Sequence, residues 1–202
     1  MTDVDGRVLR TLRALFTPGL LTTEYLRGRR APYFGPLKLF LATGSVLTTT
    51  WVRTRSADAA FYGLRLDPSA ATYIASVVRG LIVGGMSIAI TSWALAGGRR
   101  RLLDEIAFAL HVVSAAALQI SVVVWVGAAL KLGWGSSKTA PSLLYLLFLP
   151  AMILGELYFI VTLRRVYGGA WWAAVLRAII VTGVGLATLW GVIMYGSRIL
   201  LM

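Results

Sequence analysis

The stretch DEIAFALHVVSAAALQ, Asp104 to Gln119, decides the reading of the chain. It opens an apolar run that continues to about Leu130, long enough as a helix to cross the ~30 Å hydrocarbon core of a bilayer. The same stretch holds the only histidine, His111, and an amide, Gln119. An imidazole at membrane depth is either a chemical site or a polar fastener between helices.

Working outward, the composition agrees with a membrane location. Of 202 residues, 58% are hydrophobic and 14% charged, with a mean hydropathy of +0.78. That lies far from soluble domains and predicts an all-α, polytopic membrane protein. Five apolar runs are expected to span: about Pro36–Val52, Tyr73–Ala96, Glu105–Leu130, Ser142–Leu163 and Val175–Tyr195. Tryptophans and tyrosine at their ends suit an aromatic belt, including Trp51, Trp125, Trp134, Trp171, Trp172 and Tyr195. The chain divides into a cytoplasmic-face segment, residues 1–35, and a five-helix transmembrane domain, residues 36–202.

The opening segment is amphipathic. Val8, Leu9, Leu12, Leu15 and Phe16 gather on one side of a helix over residues 4–16, flanked by Arg7, Arg10 and Arg13. Such a helix lies in the interface on anionic lipid or packs on the protein's own inner surface. Thr17-Pro18-Gly19 breaks it, and a short second helix, LLTTEYLRG, closes at Gly28. With six arginines in residues 1–35, no secretory signal peptide is expected.

Net charge is +12. In a soluble chain this would suggest nucleic acid, but here arginines flank apolar helices, so the expected partner is the bilayer and no nucleic acid is expected. With the N-terminus cytoplasmic, the inner segments carry twelve arginines and the outer segments six Lys and Arg. The excess predicts a cytoplasmic N-terminus and an external C-terminus in a bacterial cytoplasmic (inner) membrane. Candidate lipid-headgroup contacts are Arg7, Arg10, Arg13, Arg27, Arg29, Arg30, Arg99, Arg100, Arg101, Arg164 and Arg165. Arg79 is expected to snorkel toward the outer face.

Depth estimates point to one polar centre. His111 lies seven residues past Asp104, and Glu156 eight residues before Arg164. At ~1.5 Å per residue both would sit roughly 10–12 Å inside the cytoplasmic boundary on consecutive antiparallel helices. His111 and Ser114 share a stripe with Gln119 at its shoulder. The candidate site is therefore His111, Glu156, Ser114 and Gln119. The plainer alternative is that these groups hydrogen-bond neighbouring helices as structural glue. Gly80 and Gly84 form a small-xxx-small motif for helix packing within or between subunits.

No catalytic signature appears: no phosphate loop, no metal-ligand set and no nucleophile elbow. There is no cysteine. No cofactor or metal is expected.

Three segments, in order, resemble a family of bacterial membrane proteins without an assigned activity, domain of unknown function 3667. They are TPGLLTTEYLRGRRAPYFGPLKLF, placing Pro18, Gly19, Glu24, Tyr25, Gly28, Arg30, Tyr33 and Pro36; DEIAFALH, placing Phe108 and His111; and YFIVTLRRVYGGAWW, placing Tyr158, Arg165 and Tyr167. The resemblance implies a five-helix membrane domain and gives His111 added weight. Many members carry an N-terminal zinc ribbon, which this cysteine-free chain lacks. Three functions are thus expected in turn: an accessory or scaffold subunit that meets other membrane subunits or itself; a conduit or carrier for protons, ions or lipid-like molecules through the His111–Glu156 site; and a lipid-modifying membrane enzyme.

Overall fold

The computed structural model describes residues 3–54, 70–97, 100–134 and 140–199. Arg99 and most of the expected outer loop lie outside the described residues. Among those described there are seven helices and no strand. They are α1 (Asp3–Phe16), α2 (Leu20–Leu26), α3 (Pro36–Thr54), α4 (Ala70–Leu95), α5 (Leu102–Trp134), α6 (Ala140–Tyr167) and α7 (Trp171–Ile199).

Four helices contain stretches long and apolar enough to cross a membrane: Val78–Leu95, Leu102–Gly127, Leu147–Tyr167 and Trp171–Thr188. The chain is thereby a multi-pass membrane protein. α5 is the hub. Half of its spanning stretch is buried, against 17% in each of the other three. Its small residues explain this, because Ala107, Ala109, Ser114, Ala117 and Ser121 are all buried and let neighbours approach closely. The surrounding helices keep one face inward and present Ile90, Leu154, Ile179 and Leu186 outward, as a lipid solvent permits.

Two clusters fill the interior. Phe108, Phe159, Leu163, Val166, Ala174, Ala178 and Val181 join α5, α6 and α7. Ala14, Leu15, Leu21 and Leu39 join the N-terminal hairpin to the start of α3. The hairpin α1–α2 turns where the sequence breaks, at Gly19, whose φ of 71° is left-handed. A Cβ there would also lie 3.2 Å from both Arg165 Cβ and the Thr162 carbonyl oxygen, so the turn presses directly on α6.

Helix bounds differ from the sequence reading where α6 meets α7. α6 runs on through Arg164 and Arg165 to Tyr167, and α7 starts at Trp171 rather than Val175. The arginines are accommodated because the last helical turn exposes carbonyls that attract cations. Arg165 also donates to the Pro18 carbonyl at 2.7 Å. Arg177 sits six residues inside α7.

Candidate functional site

His111 is 3% exposed on α5, and its Nδ1 lies 3.0 Å from the hydroxyl of Thr22 on α2. Thr22 is itself 1% exposed. Tyr25, one turn further along α2, sets its ring edge-on to the imidazole at 5.8 Å between centroids. Arg30 in turn covers the Tyr25 ring at 4.4 Å. The three residue types follow from the setting: α2 offers Thr22 and Tyr25 on one face at i, i+3 spacing, and α5 offers the only imidazole. A neutral imidazole has one donor and one acceptor nitrogen. Thr22 satisfies one of them, and Nε2 is buried without a hydrogen-bond partner among the described residues.

The same hairpin is held at two further points. Tyr158 on α6 donates its hydroxyl to the Leu15 carbonyl at 2.6 Å, beside the Arg165 contact to Pro18. Inside the hairpin segment, the Phe34 amide donates to Thr11 Oγ1 at 3.1 Å. α5 and α6 therefore grip the hairpin by polar groups aimed at its backbone and at one hydroxyl.

Glu156 has a different partner. Thr182 on α7 donates to its two carboxyl oxygens at 3.3 and 3.2 Å. Ser114 returns its hydroxyl to Leu110 in its own helix at 2.7 Å. Gln119 donates to the Ala151 carbonyl on α6 at 2.5 Å, through a gap left by Gly155. A Cβ on Gly155 would lie 3.2 Å from Gln119 Oε1.

The four candidate residues thus reach four different partners, and the expected His111–Glu156 pairing is not made. Register explains why. Glu105 meets Tyr167, and Gln119 meets Ala151 and Gly155, so α5 and α6 are aligned with His111 level with about Val161. Glu156 is five residues away along α6, or about 7.5 Å. Azimuth separates them as well. Gly155 faces α5, so its neighbour Glu156, about 100° further round, faces α7.

Sequence reasoning missed Glu105. It was read as the membrane edge of its run, yet it is 1% exposed and accepts a hydrogen bond from Tyr167 of α6. Its Oε1 is buried without a hydrogen-bond partner among the described residues. The Tyr167 ring takes the edge of Phe108 at 5.6 Å and two guanidinium groups, Arg100 at 4.5 Å and Arg177 at 5.2 Å. The usable signal was the mirrored placement of Glu105 at the start of α5 and Tyr167 at the end of α6, since antiparallel neighbours bring such ends together.

Of the helix-packing motif, Gly84 meets open space, whereas Gly85 faces Val113 of α5 at 3.7 Å. Among the described residues no group of three His, Asp or Glu gathers as a metal site would require.

Together these features define a helical membrane domain with a short N-terminal hairpin docked on its central helix. Residues 5–48, which are the hairpin and most of α3, match the model of a family described as Protein of unknown function (DUF3667). No curated protein and no solved structure matches the chain.

Proposed function

We propose that this protein is a non-catalytic membrane scaffold, an accessory subunit of a larger assembly in the bacterial cytoplasmic membrane. One observation carries the reading. Deep polar side chains with a partner outside their own helix spend it on fastening two elements, His111 on α2, Gln119 on Ala151 and Glu156 on Thr182, and Trp125, near the end of its run, does the same on Thr50. Such bonds are worth about 0.6 kcal/mol each in membranes, enough to fix a register and too distributed to form one reaction centre.

Five crossings are part of the proposal. α3 has 19 residues, about 28 Å, and begins at the end where the hairpin docks. Its Thr50 meets Trp125, more than twenty residues along α5, and Gly44 approaches Leu81 midway along α4. Leu37, Leu41 and Val46 face outward. These contacts support a helix running the depth of the bundle. With the arginine excess, they support a cytoplasmic N-terminus and an external C-terminus. The outward Leu9 and Phe16 of α1, 62% and 65% exposed, support a hairpin that docks on the bundle and still faces the inner leaflet.

The test is assembly. The protein purified in mild detergent is expected to carry partner subunits or self-associate. The variants His111→Ala and Glu156→Ala are expected to lose stability or assembly, with no separable activity lost. A stable, partner-free monomer indifferent to both substitutions contradicts the scaffold. A conduit or carrier is the second reading, favoured by the buried Nε2 of His111, which lacks a hydrogen-bond partner among the described residues. Ion or proton flux in liposomes that falls on His111→Ala without loss of folding would select it over the scaffold.

A further inference from the structure

The inner end of the bundle holds a feature that the scaffold does not use. Arg100, just before α5, and Arg177, in α7, both lie over the ring of Tyr167. Their guanidinium carbons are therefore within roughly 10 Å of each other, held on one π-system rather than on carboxylates. Among the described residues, Arg177 makes no hydrogen bond and no ion pair. Arg100 spends a single donor, Nη2, on the Val166 carbonyl at 2.6 Å. The Glu105 carboxyl acts electrostatically on both arginines but, among the described residues, makes no ion pair with either, and it accepts from the Tyr167 hydroxyl. It thereby anchors the ring on which both arginines rest.

A guanidinium carries five donors in a planar fork. Stacked on a ring, the fork keeps its edge free for a planar or tetrahedral oxyanion, and two forks on one ring leave most of their donors unused. The surroundings say which anion is at hand. Trp171 and Trp172, 50% and 71% exposed, mark this end as the interfacial belt, and Arg164 lies 3.8 Å over Trp171. At that depth the abundant oxyanion is the phosphate of a phospholipid headgroup.

We propose that Arg100 and Arg177, positioned by Tyr167, form a binding site for the phosphate group of an anionic membrane lipid. The proposal rests on the membrane reading above and narrows the general basic collar to one site. Arg177 reaches it by turning back from about 9 Å inside α7 toward the end of α6, as a snorkelling side chain does.

Native mass spectrometry of the detergent-solubilised protein tests it, with phosphatidylglycerol, phosphatidylcholine and inorganic phosphate as probes. Wild type is expected to retain phosphatidylglycerol at least about tenfold better than phosphatidylcholine. The double variant Arg100→Gln/Arg177→Gln loses that preference. Arg79→Gln, about 24 Å along α4 from Leu95, keeps it. Arg177→Lys, which retains the charge but not the fork, falls several-fold and guards against a double variant that does not fold. If inorganic phosphate displaces the lipid at millimolar concentration, the site holds phosphate from a soluble source as well. Retention of phosphatidylglycerol by the double variant at the wild-type level, or no preference in wild type, overturns the site. A chain that stays dispersed without detergent removes the membrane reading itself, which separates the two failures.

Discussion

His111 and Glu156 are both ionisable groups within apolar helices, yet they do different work. His111 reaches out of the spanning bundle to α2 and holds a segment that is not itself a span. Glu156 reaches sideways to Thr182 and joins two spans to each other. The first contact belongs to a grip of three on the hairpin, with Tyr158 and Arg165. The second is a seam contact on a half-buried carboxyl. Similar depth read from sequence therefore says little about shared chemistry; register and the face of the helix decide the partner.

The comparison can be broken most forcefully at the hairpin turn. Gly19→Ala places a Cβ against Arg165 and the Thr162 carbonyl at a left-handed φ. It should cost about 2–3 kcal/mol, from backbone strain together with overpacking. Thermal unfolding in detergent and faster proteolysis near residues 17–30 would show it. A Glu156-side change should leave that proteolysis untouched.

The seam between α5 and α6 comes next. Gly155→Val fills the gap used by the Gln119 amide and should destabilise by about 1–3 kcal/mol. Gln119→Leu in the same background should recover part of the loss, because it removes the amide that clashes. No recovery would mean that Gly155 matters for another contact.

His111→Ala should cost about 1–2 kcal/mol, since it leaves the buried Thr22 hydroxyl without its partner. Its mark is local: hydrogen exchange rises in α2 while α6 and α7 keep their protection. Glu156→Gln should be the mildest, within about 0.5 kcal/mol, because the amide oxygen still accepts from Thr182. A loosened hairpin in Glu156→Gln would erase the distinction between the two regions.

The sequence exposed the elements better than their pairings. Apolar runs and the Thr17-Pro18-Gly19 break located α1, α2 and the four spans, because burial in lipid and turn chemistry are local signals. The resemblance read from Pro18 to Pro36 falls in the segment that the family model matches. The ends of α6 and α7 were misjudged because arginine was read as a boundary. Arg164 instead stacks on Trp171 and Arg165 binds Pro18, so both stay helical. The partner of His111 was not legible, since it depends on how a separate helix docks. Glu105 was not legible either: a carboxylate at the edge of an apolar run looks solvated until Tyr167 is seen above it.

The central claim is that His111 fastens α2 to α5 through Thr22. A double-mutant cycle of Thr22→Val and His111→Ala measures it, read by hydrogen-exchange protection of residues 20–26 in detergent. The account predicts that either substitution alone loosens α2 about as much as both together, a coupling of about 1 kcal/mol. Strictly additive losses, or α2 equally protected in all four proteins, would contradict it.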